Sequence, residues 1–424
     1  MTRSLPFDLR APGGWDVQPF GRIVERSQET GQPDARPLSV FLDQGVVPRD
    51  SRDDNFNRLG ADLAKYLVVQ EGDIVFNKLR TWQGGLGVSK FDGIVSPAYF
   101  VCRPFPAVDS RFLHYLLRSR VYLDELTRIS KWMPPSQFDI AWDDLRSLPI
   151  LLPPPVTQQA IAVFLDRETA RIDALVAAKR RLIELLDEHQ ISEVYAAVIG
   201  MDVSGLRQSA GVPWLEDVPS SWTVASVGAR YNVQLGRMLN EERRLGPTPL
   251  PYLRNANVRW DDFDLTDVAT MDFPEMDRSR YRLRVGDLLI CEGGAGVGRA
   301  AIWQGQIPDC YYQKSLHRVR ATGGWPVDWL LEWIRISTSM GAWIVEGNLA
   351  TIPHLTAEQL RAYRMPFPPI EDCGRVLEAL RSRRHVLTAQ REILERQITL
   401  LTERRQTVVT STVMGQMDIL GKTA

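Results

Sequence analysis

Apolar positions along the 424-residue chain follow two regimes. Over most of its length they come in short runs, GDIVF, GIVSPAYFVC, GDLLI and RAAIW, rich in β-branched and aromatic residues and bounded by glycine. Such runs predict strands. Stretches of helical spacing follow near Phe112–Thr127 and Val327–Ser339. Two segments break with this pattern. Between Val156 and Ile199 there is neither proline nor glycine, and Ile161, Leu165, Ile172, Leu175, Leu182, Leu186 and His189 recur at spacings of three, four or seven. Between Glu371 and Val413, Leu380, Leu387, Leu394, Leu401 and Val408 repeat every seven residues, with Val386, Ile393 and Leu400 beside them. Heptad seams with charged flanks predict long helices of coiled-coil type. A helix of ~44 residues spans ~66 Å at 1.5 Å per residue. His189, on the first seam, is expected to be a packed or register-setting polar residue.

The two long segments close two copies of one unit. PGGWDVQPFG, from Pro12, matches PSSWTVASVG, from Pro219, at Pro12/Pro219, Trp15/Trp222, Val17/Val224 and Gly21/Gly228. EGDIVF, from Glu71, matches VGDLLI, from Val285, and each is followed by a glycine cluster, WQGGLGVS and EGGAGVGRA. FLHYLL then matches WLLEWI, and LRSLPILLPPP matches LRAYRMPFPP. Proline clusters, which neither a helix interior nor a central strand tolerates, punctuate both copies at the same point. A unit of roughly 200 residues is therefore present twice. Two long helices at equivalent positions of a repeat are expected to pair with each other, antiparallel. The expected fold is α/β: two similar mixed α/β domains separated by a two-helix coiled coil. The boundaries are 1–155 for the first domain, 156–200 for the central helix, 201–369 for the second domain and 370–424 for the last helix and tail.

Composition narrows the class. Hydrophobic residues are 44% and charged residues 24%, ordinary for a globular protein and incompatible with wholesale disorder. No apolar stretch reaches the ~18 residues of a membrane span, and the first residues lack a signal-peptide core. Four scattered cysteines, Cys102, Cys291, Cys310 and Cys373, form no C-x-x-C pair, so neither a disulfide framework nor a zinc site is expected. These features are those of a cytoplasmic protein. The net charge of −1 argues against non-specific coating of nucleic acid, but not against local contact.

Catalytic constellations are missing from the pattern. Gly293 and Gly298 have P-loop spacing, yet Arg299-Ala300 stands where Lys-Ser/Thr is required, and the dinucleotide fingerprint fails at Arg299. EGGAGVGRA thus reads as a tight turn between strands. No acid lies two residues before a lysine, as many nucleases require. Neither Pro134-Pro135 nor Pro368-Pro369 sits in the loop with which adenine methyltransferases hold a flipped base. The five histidines lack ligand spacing, and there is no G-x-S-x-G elbow. A binding or scaffolding subunit is the expectation.

Local charge says more. Asn77 to Phe91 holds Lys78, Arg80 and Lys90 and no acid; Gly293 to Arg320 holds Arg299, Lys314, Arg318 and Arg320 against Asp309 alone. Both windows lie at the glycine-rich part of their repeat and are dotted with Trp82, Gln83, Tyr311 and Gln313. Arginine, lysine, glutamine and asparagine on loops are the residue types that contact phosphates and base edges. Candidate DNA contacts are Lys78, Arg80, Gln83, Lys131 and Gln137 in the first unit, and Arg299, Gln313, Lys314 and Asn348 in the second. Lys131 and Asn348 occupy equivalent loops, KWMPPSQ and GNLATIP.

With these pieces in place, the whole chain resembles the specificity subunits of type I restriction–modification systems. The resemblance rests on GDIVFNKLRTWQGGLGVS followed by GIVSPAYFV, on VPWLEDVPSSW opening the second unit, and on LPPPVTQQAIAVFLDRETARIDALV. The last contains P-P-x-x-x-Q-x-x-I-x-x-F-L-D, the family's recurrent entry to its central helix; the second copy, PPIEDCGRVLEAL, lacks the glutamine. The resemblance implies two target-recognition domains, each reading one half of a split DNA site, with the helices fixing the gap. It implies methyltransferase and restriction–translocase subunits as partners. S-adenosylmethionine, ATP and magnesium would belong to those partners, with no catalytic residue, cofactor or metal in this chain. The alternatives are the same kind of subunit in a methylation-only or other phage-defence assembly, or a coiled-coil adaptor with no DNA role.

Overall fold

The computed structural model describes residues 11–42, 44–51, 59–60, 62–133, 137–238, 246, 248–345, 354–417 and 419, apart from the side chains of Gln137, Ala295, Ile344 and Val345. The chain forms two compact units, residues 1–180 with 394–424, and residues 181–393. Each unit thus contains one portion of each long helix.

The first unit is built on an antiparallel sheet of β1 (Val24–Ser27), β2 (Ile74–Asn77), β3 (Leu86–Val88) and β4 (Tyr99–Pro104), in the order β1-β4-β2-β3. Both faces of this sheet are covered. Ile74, Phe76, Phe100 and Cys102 join one core, whereas Val75 and Val101 join another with Leu38, Val40 and Val95. That is why GDIVF reads as an unbroken apolar run rather than an alternating one. Helix α1 (Ser110–Leu117) follows, its first turn capped by the Asp109 carboxylate, with Phe112, Leu113, Leu116 and Leu117 inside the core.

The second unit repeats this plan. Strands β5 (Tyr231–Leu235), β6 (Leu288–Cys291), β7 (Ala300–Ile302) and β8 (Leu316–Ala321) form an antiparallel sheet in the corresponding order, β5-β8-β6-β7. Leu288 and Ile290 face one core, Leu289 and Cys291 another. Helix α3 (Val327–Ser339; α2 is the first long helix, Pro155–Val198) takes the place of α1. The repeat extends to single side chains. Asp73 and Asp287, each 2% exposed, accept a hydrogen bond from the amide three residues earlier, that of Gln70 and of Arg284. Each also pairs with an arginine on the neighbouring strand, Arg103 at 3.2 Å and Arg320 at 2.5 Å. Likewise, a Cβ at Gly21 would lie 3.0 Å from the Arg146 Cβ, and one at Gly228 would lie 3.2 Å from the Arg361 carbonyl. The matching glycines therefore sit at the same close approach in both units, where a side chain would be tight.

Both long helices form as expected, α2 (Pro155–Val198) and α4 (Ile370–Val413). They run antiparallel in each unit. In the first, Asp173 pairs with Arg405 at 2.8 Å and Lys179 donates to Gln397 at 2.6 Å; in the second, Asp187 pairs with Arg391 at 3.0 Å and Glu193 with Arg383 at 3.3 Å. These contacts are exposed, and such pairs contribute ~0–1 kcal/mol each; they select a register more than they add stability. Of the predicted seam of α4, Leu380 and Leu394 are buried and Leu387, Leu401 and Val408 half-buried. The flanking row is corrected: Val386, Ile393 and Leu400 are about half exposed or more, at 55%, 48% and 63%. In α2, Ile161, Leu165 and Ile172 are buried as expected, but Leu175, Leu182 and His189 face solvent. His189 lies 3.9 Å from Glu193 instead of packing. Beyond Ile172 the inward positions are Val176, Lys179, Ile183, Leu186, Gln190 and Val194, at least partly sheltered. These steps of three and four keep one face toward the partner helix; Leu186 of the predicted row lies on it, and Leu175, Leu182 and His189 each lie one position off it.

Candidate nucleic-acid interface

In the first unit, β2 ends at Asn77 and the chain turns through a short helical turn, Thr81–Gln83. The Asn77 carbonyl accepts from the Arg80 amide (2.9 Å) and the Thr81 hydroxyl (2.7 Å), which closes the loop. Gly84 takes φ +91°, and a Cβ at Gly85 would lie 2.7 Å from the Arg80 carbonyl, so the paired glycines are what this turn demands. Arg80 and Gln83 are exposed at its surface. Lys78 lies with its ammonium over the Phe100 ring, 4.6 Å from the centroid. The hairpin Lys131–Met133/Gln137–Asp139 packs onto this turn through an aromatic ladder: Trp82 to Phe138 at 5.0 Å and Phe138 to Trp132 at 4.9 Å. Lys131 is exposed on it, and Trp132 and Met133 are exposed at 49% and 42%. Gln137 pairs with Met133 in the hairpin; its side chain lies outside the described residues. The structure thus brings Trp82 and its loop together with Lys131, which the sequence separates by some fifty residues. Trp132 and Met133 were not among the candidates; two large apolar residues directly after a lysine in a Pro-Pro loop were the available signal.

Gln83 also lines a cavity of about 530 Å³ in this unit, together with His114, Arg118, Arg180 and Arg405. His114 accepts a hydrogen bond from the Val88 amide at Nδ1. Burial, reinforced by Arg118, Lys90 and Arg405, pushes its pKa down to about 3, so the ring is neutral.

In the second unit the glycine cluster forms a helical turn, Gly294–Gly296, between β6 and β7, as expected of a tight turn. Asn255 organises it. Its side-chain amide donates to the Gly293 carbonyl at 2.7 Å, and its backbone amide donates to the Ser315 hydroxyl at 3.2 Å; that hydroxyl in turn accepts from the Gln313 side chain at 3.0 Å. The Lys314 amide donates to the Arg237 carbonyl, which leaves the Lys314 side chain exposed beside Gln313. A Cβ at Gly296 would lie 2.9 Å from the Arg299 guanidinium, so that side chain folds back over the turn. Burial raises the pKa of Glu292, opposed by His354 and Lys314. Arg299, Gln313 and Lys314 therefore gather around one turn. Asn348 lies outside the described residues. Two arginines of the same basic window are not available: Arg318 is 4% exposed and bonded to Gln234, Asn232 and the Arg280 carbonyl, and Arg320 is held by Asp287. Asn255 and Ser315 had no sequence signal, because their role depends on a loop distant from both in sequence.

Among the described residues no group of His, Cys, Asp and Glu is arranged to hold a metal ion, and no helix is long and apolar enough to cross a membrane.

No family model matches the sequence. Over 194 residues, 45% of this chain, it is 26% identical to the type I restriction enzyme EcoKI specificity subunit of Escherichia coli (strain K12), and the match spans 39% of that protein. Two solved structures match almost end to end. One, from a study of complex assembly and conformational transition in a type I R-M system, has a TM-score of 0.69 at 18% identity, covering 96% of this chain and 100% of that one. The other, the HsdS subunit from Thermoanaerobacter tengcongensis, has a TM-score of 0.55 at 17% identity, covering 98% and 100%. At this identity the likeness establishes the fold: the chain has the duplicated α/β architecture with long helices seen in type I specificity subunits.

Proposed function

We propose that the chain is the sequence-specific DNA-binding subunit of a type I restriction–modification assembly. Each unit reads one half of a two-part duplex target, and the long helices act as the spacer. The observation that carries this reading is the duplication itself. The same sheet in each unit presents a glycine turn with basic and amide side chains about it, exposed Arg80 and Gln83 with Lys131 of the adjoining hairpin in one, exposed Lys314 with half-buried Gln313 and Arg299 in the other. Duplicated readers on a common scaffold suit a split site, as half-site spacing does in dimeric DNA-binding proteins. The flanking aromatics, Trp82, Trp132 and Phe138, add stacking or wedging surface of the kind nucleic-acid binders use. The likeness to the EcoKI specificity subunit and to the two solved folds supports the same conclusion.

On this reading the chain catalyses nothing itself. Methyltransferase subunits carrying S-adenosylmethionine, and a restriction–translocase subunit using ATP and magnesium, are its partners. The experiment is to express the chain with the methyltransferase subunit encoded beside it and map the methylated bases in the host genome. A two-part motif with an unread gap, lost when this chain is omitted, is the expected result. Methylation that persists without the chain, or a motif unaffected by exchanging one of its units, would overturn the proposal.

A further inference from the structure

The repeat places equivalent side chains at the junction between each domain and its long helix, and there the charges are inverted. In the first unit α1 buries Phe112, Leu113, Leu116 and Leu117; in the second α3 buries Trp329, Leu330, Trp333 and Ile334 at the same positions, all 0% exposed. Leu165 of α2 and Leu380 of α4 are likewise equivalent and buried. One residue before the first core position stands Arg111 in α1 but Asp328 in α3; one residue after the helix leucine stands Asp166 in α2 but Arg381 in α4. Each pair is made: Arg111 to Asp166 at 3.1 Å, and Asp328 to Arg381 at 2.6 Å. A turn further on the two units differ again. Tyr115 donates to Asp166 at 2.8 Å, whereas its equivalent, Glu332, receives Arg384 at 2.6 Å.

We infer that this inversion is a key that assigns each recognition domain to its own helix. A second-unit domain seated on α2 would set Asp328 against Asp166, with Glu332 adding a third acid. A first-unit domain seated on α4 would set Arg111 against Arg381 and leave Arg384, largely sheltered, facing a tyrosine. Both wrong arrangements bring like charges together, while the apolar positions, being equivalent, discriminate little. Sequence similarity makes the two domains candidates for exchange, within one chain or between two copies of it; the charge pairs disfavour it. Specificity built from repulsion in the wrong pairing is a general device.

The test uses the full chain with surface substitutions only. Arg111→Asp gives α1 the charge of the wrong domain, and Asp166→Arg added to it restores an opposite pair in reverse. Asp328→Arg and Arg381→Asp repeat the experiment in the second unit. Each single reversal is expected to lower the midpoint of thermal unfolding by ~2–4 °C, the shift that a change of about 1 kcal/mol produces in a unit of this size. Each double reversal is expected to recover a measurable part of that loss; in the first unit the Arg111–Asp109 pair and the Tyr115–Asp166 hydrogen bond are not restored by it. Recovery of soluble folded chain by the double reversal, where a single reversal prevents folding, carries the same meaning. Single reversals as stable as the parent, or double reversals no better than the singles in both units, overturn the inference.

Discussion

Gln158, the glutamine of the helix-entry motif, is buried at 1% exposure and works as a staple. Its side-chain oxygen accepts from the Asp109 amide at 2.9 Å, and its nitrogen donates to the Pro153 carbonyl at 2.8 Å and to the Ala107 carbonyl at 3.5 Å. It thus ties the turn that caps α1 to the proline cluster that opens α2. Gln158→Ala orphans the Asp109 amide and the Pro153 carbonyl in a dry site. Each unpaired buried group costs ~1–3 kcal/mol, and the Ala107 contact is too long to add much. A total of ~3 kcal/mol is expected, which in a unit of ~200 residues lowers its unfolding midpoint by ~6–12 °C. The assay is chemical denaturation with amide exchange, so that loss of protection at Asp109 and along α1 locates the damage. In the second unit the equivalent position is Cys373, fully buried and apolar. Gln158→Cys therefore copies the second unit into the first without that unit's surroundings, and is expected to cost nearly as much as alanine. A loss below ~0.5 kcal/mol for both variants, the range of an ordinary surface substitution, would refute the staple and with it this account of the motif.

Other outcomes follow from burial and charge. Lys314→Ala is expected to weaken DNA binding by the assembled complex across all sequences and lower its salt slope by ~1, while Gln313→Ala relaxes specificity at one position; salt titrations on matched and mismatched duplexes separate the two. Trp132→Ala is expected to weaken the same complex more than Trp132→Phe does, since stacking on a base is worth ~1–3 kcal/mol; equal affinities for both variants and the parent would remove the hairpin from the interface. Leu394→Ala should cost ~2–5 kcal/mol as a buried helix contact, against ±0.5 kcal/mol for exposed Leu400→Ala, measured by urea unfolding. His114 is held neutral with a folded pKa near 3, below the ordinary value of 6.5. Its contribution is therefore complete above pH 6.5 and lost progressively as pH falls from there toward 3. A His114→Gln variant should show a flatter decline in stability over that window.

Much of this architecture was written in local pattern. The duplication, the two long helices within a residue of their ends, and the strands at GDIVF and GDLLI follow from periodicity and punctuation, because hydrogen bonding and apolar spacing within one element are properties of contiguous residues. The glycines after β2 and β6 signalled tight turns for the same reason. The correct inward face of α2 was a different matter. Leu175 and Val176 are both apolar, and only the position of the partner helix decided that Val176 turns inward. The availability of a charge was likewise a tertiary decision: Arg318 and Arg320 look like Lys314 in sequence, yet strand pairing buries the first and delivers the second to Asp287. Asn255 and Ser315, the Trp82–Phe138–Trp132 ladder and the inverted pairs Arg111–Asp166 and Asp328–Arg381 join residues separated by roughly fifty positions or more. A chain specifies such contacts only through the fold that brings them together, since a side chain's partner, unlike its helical phase, is fixed by distance in space rather than by spacing along the backbone.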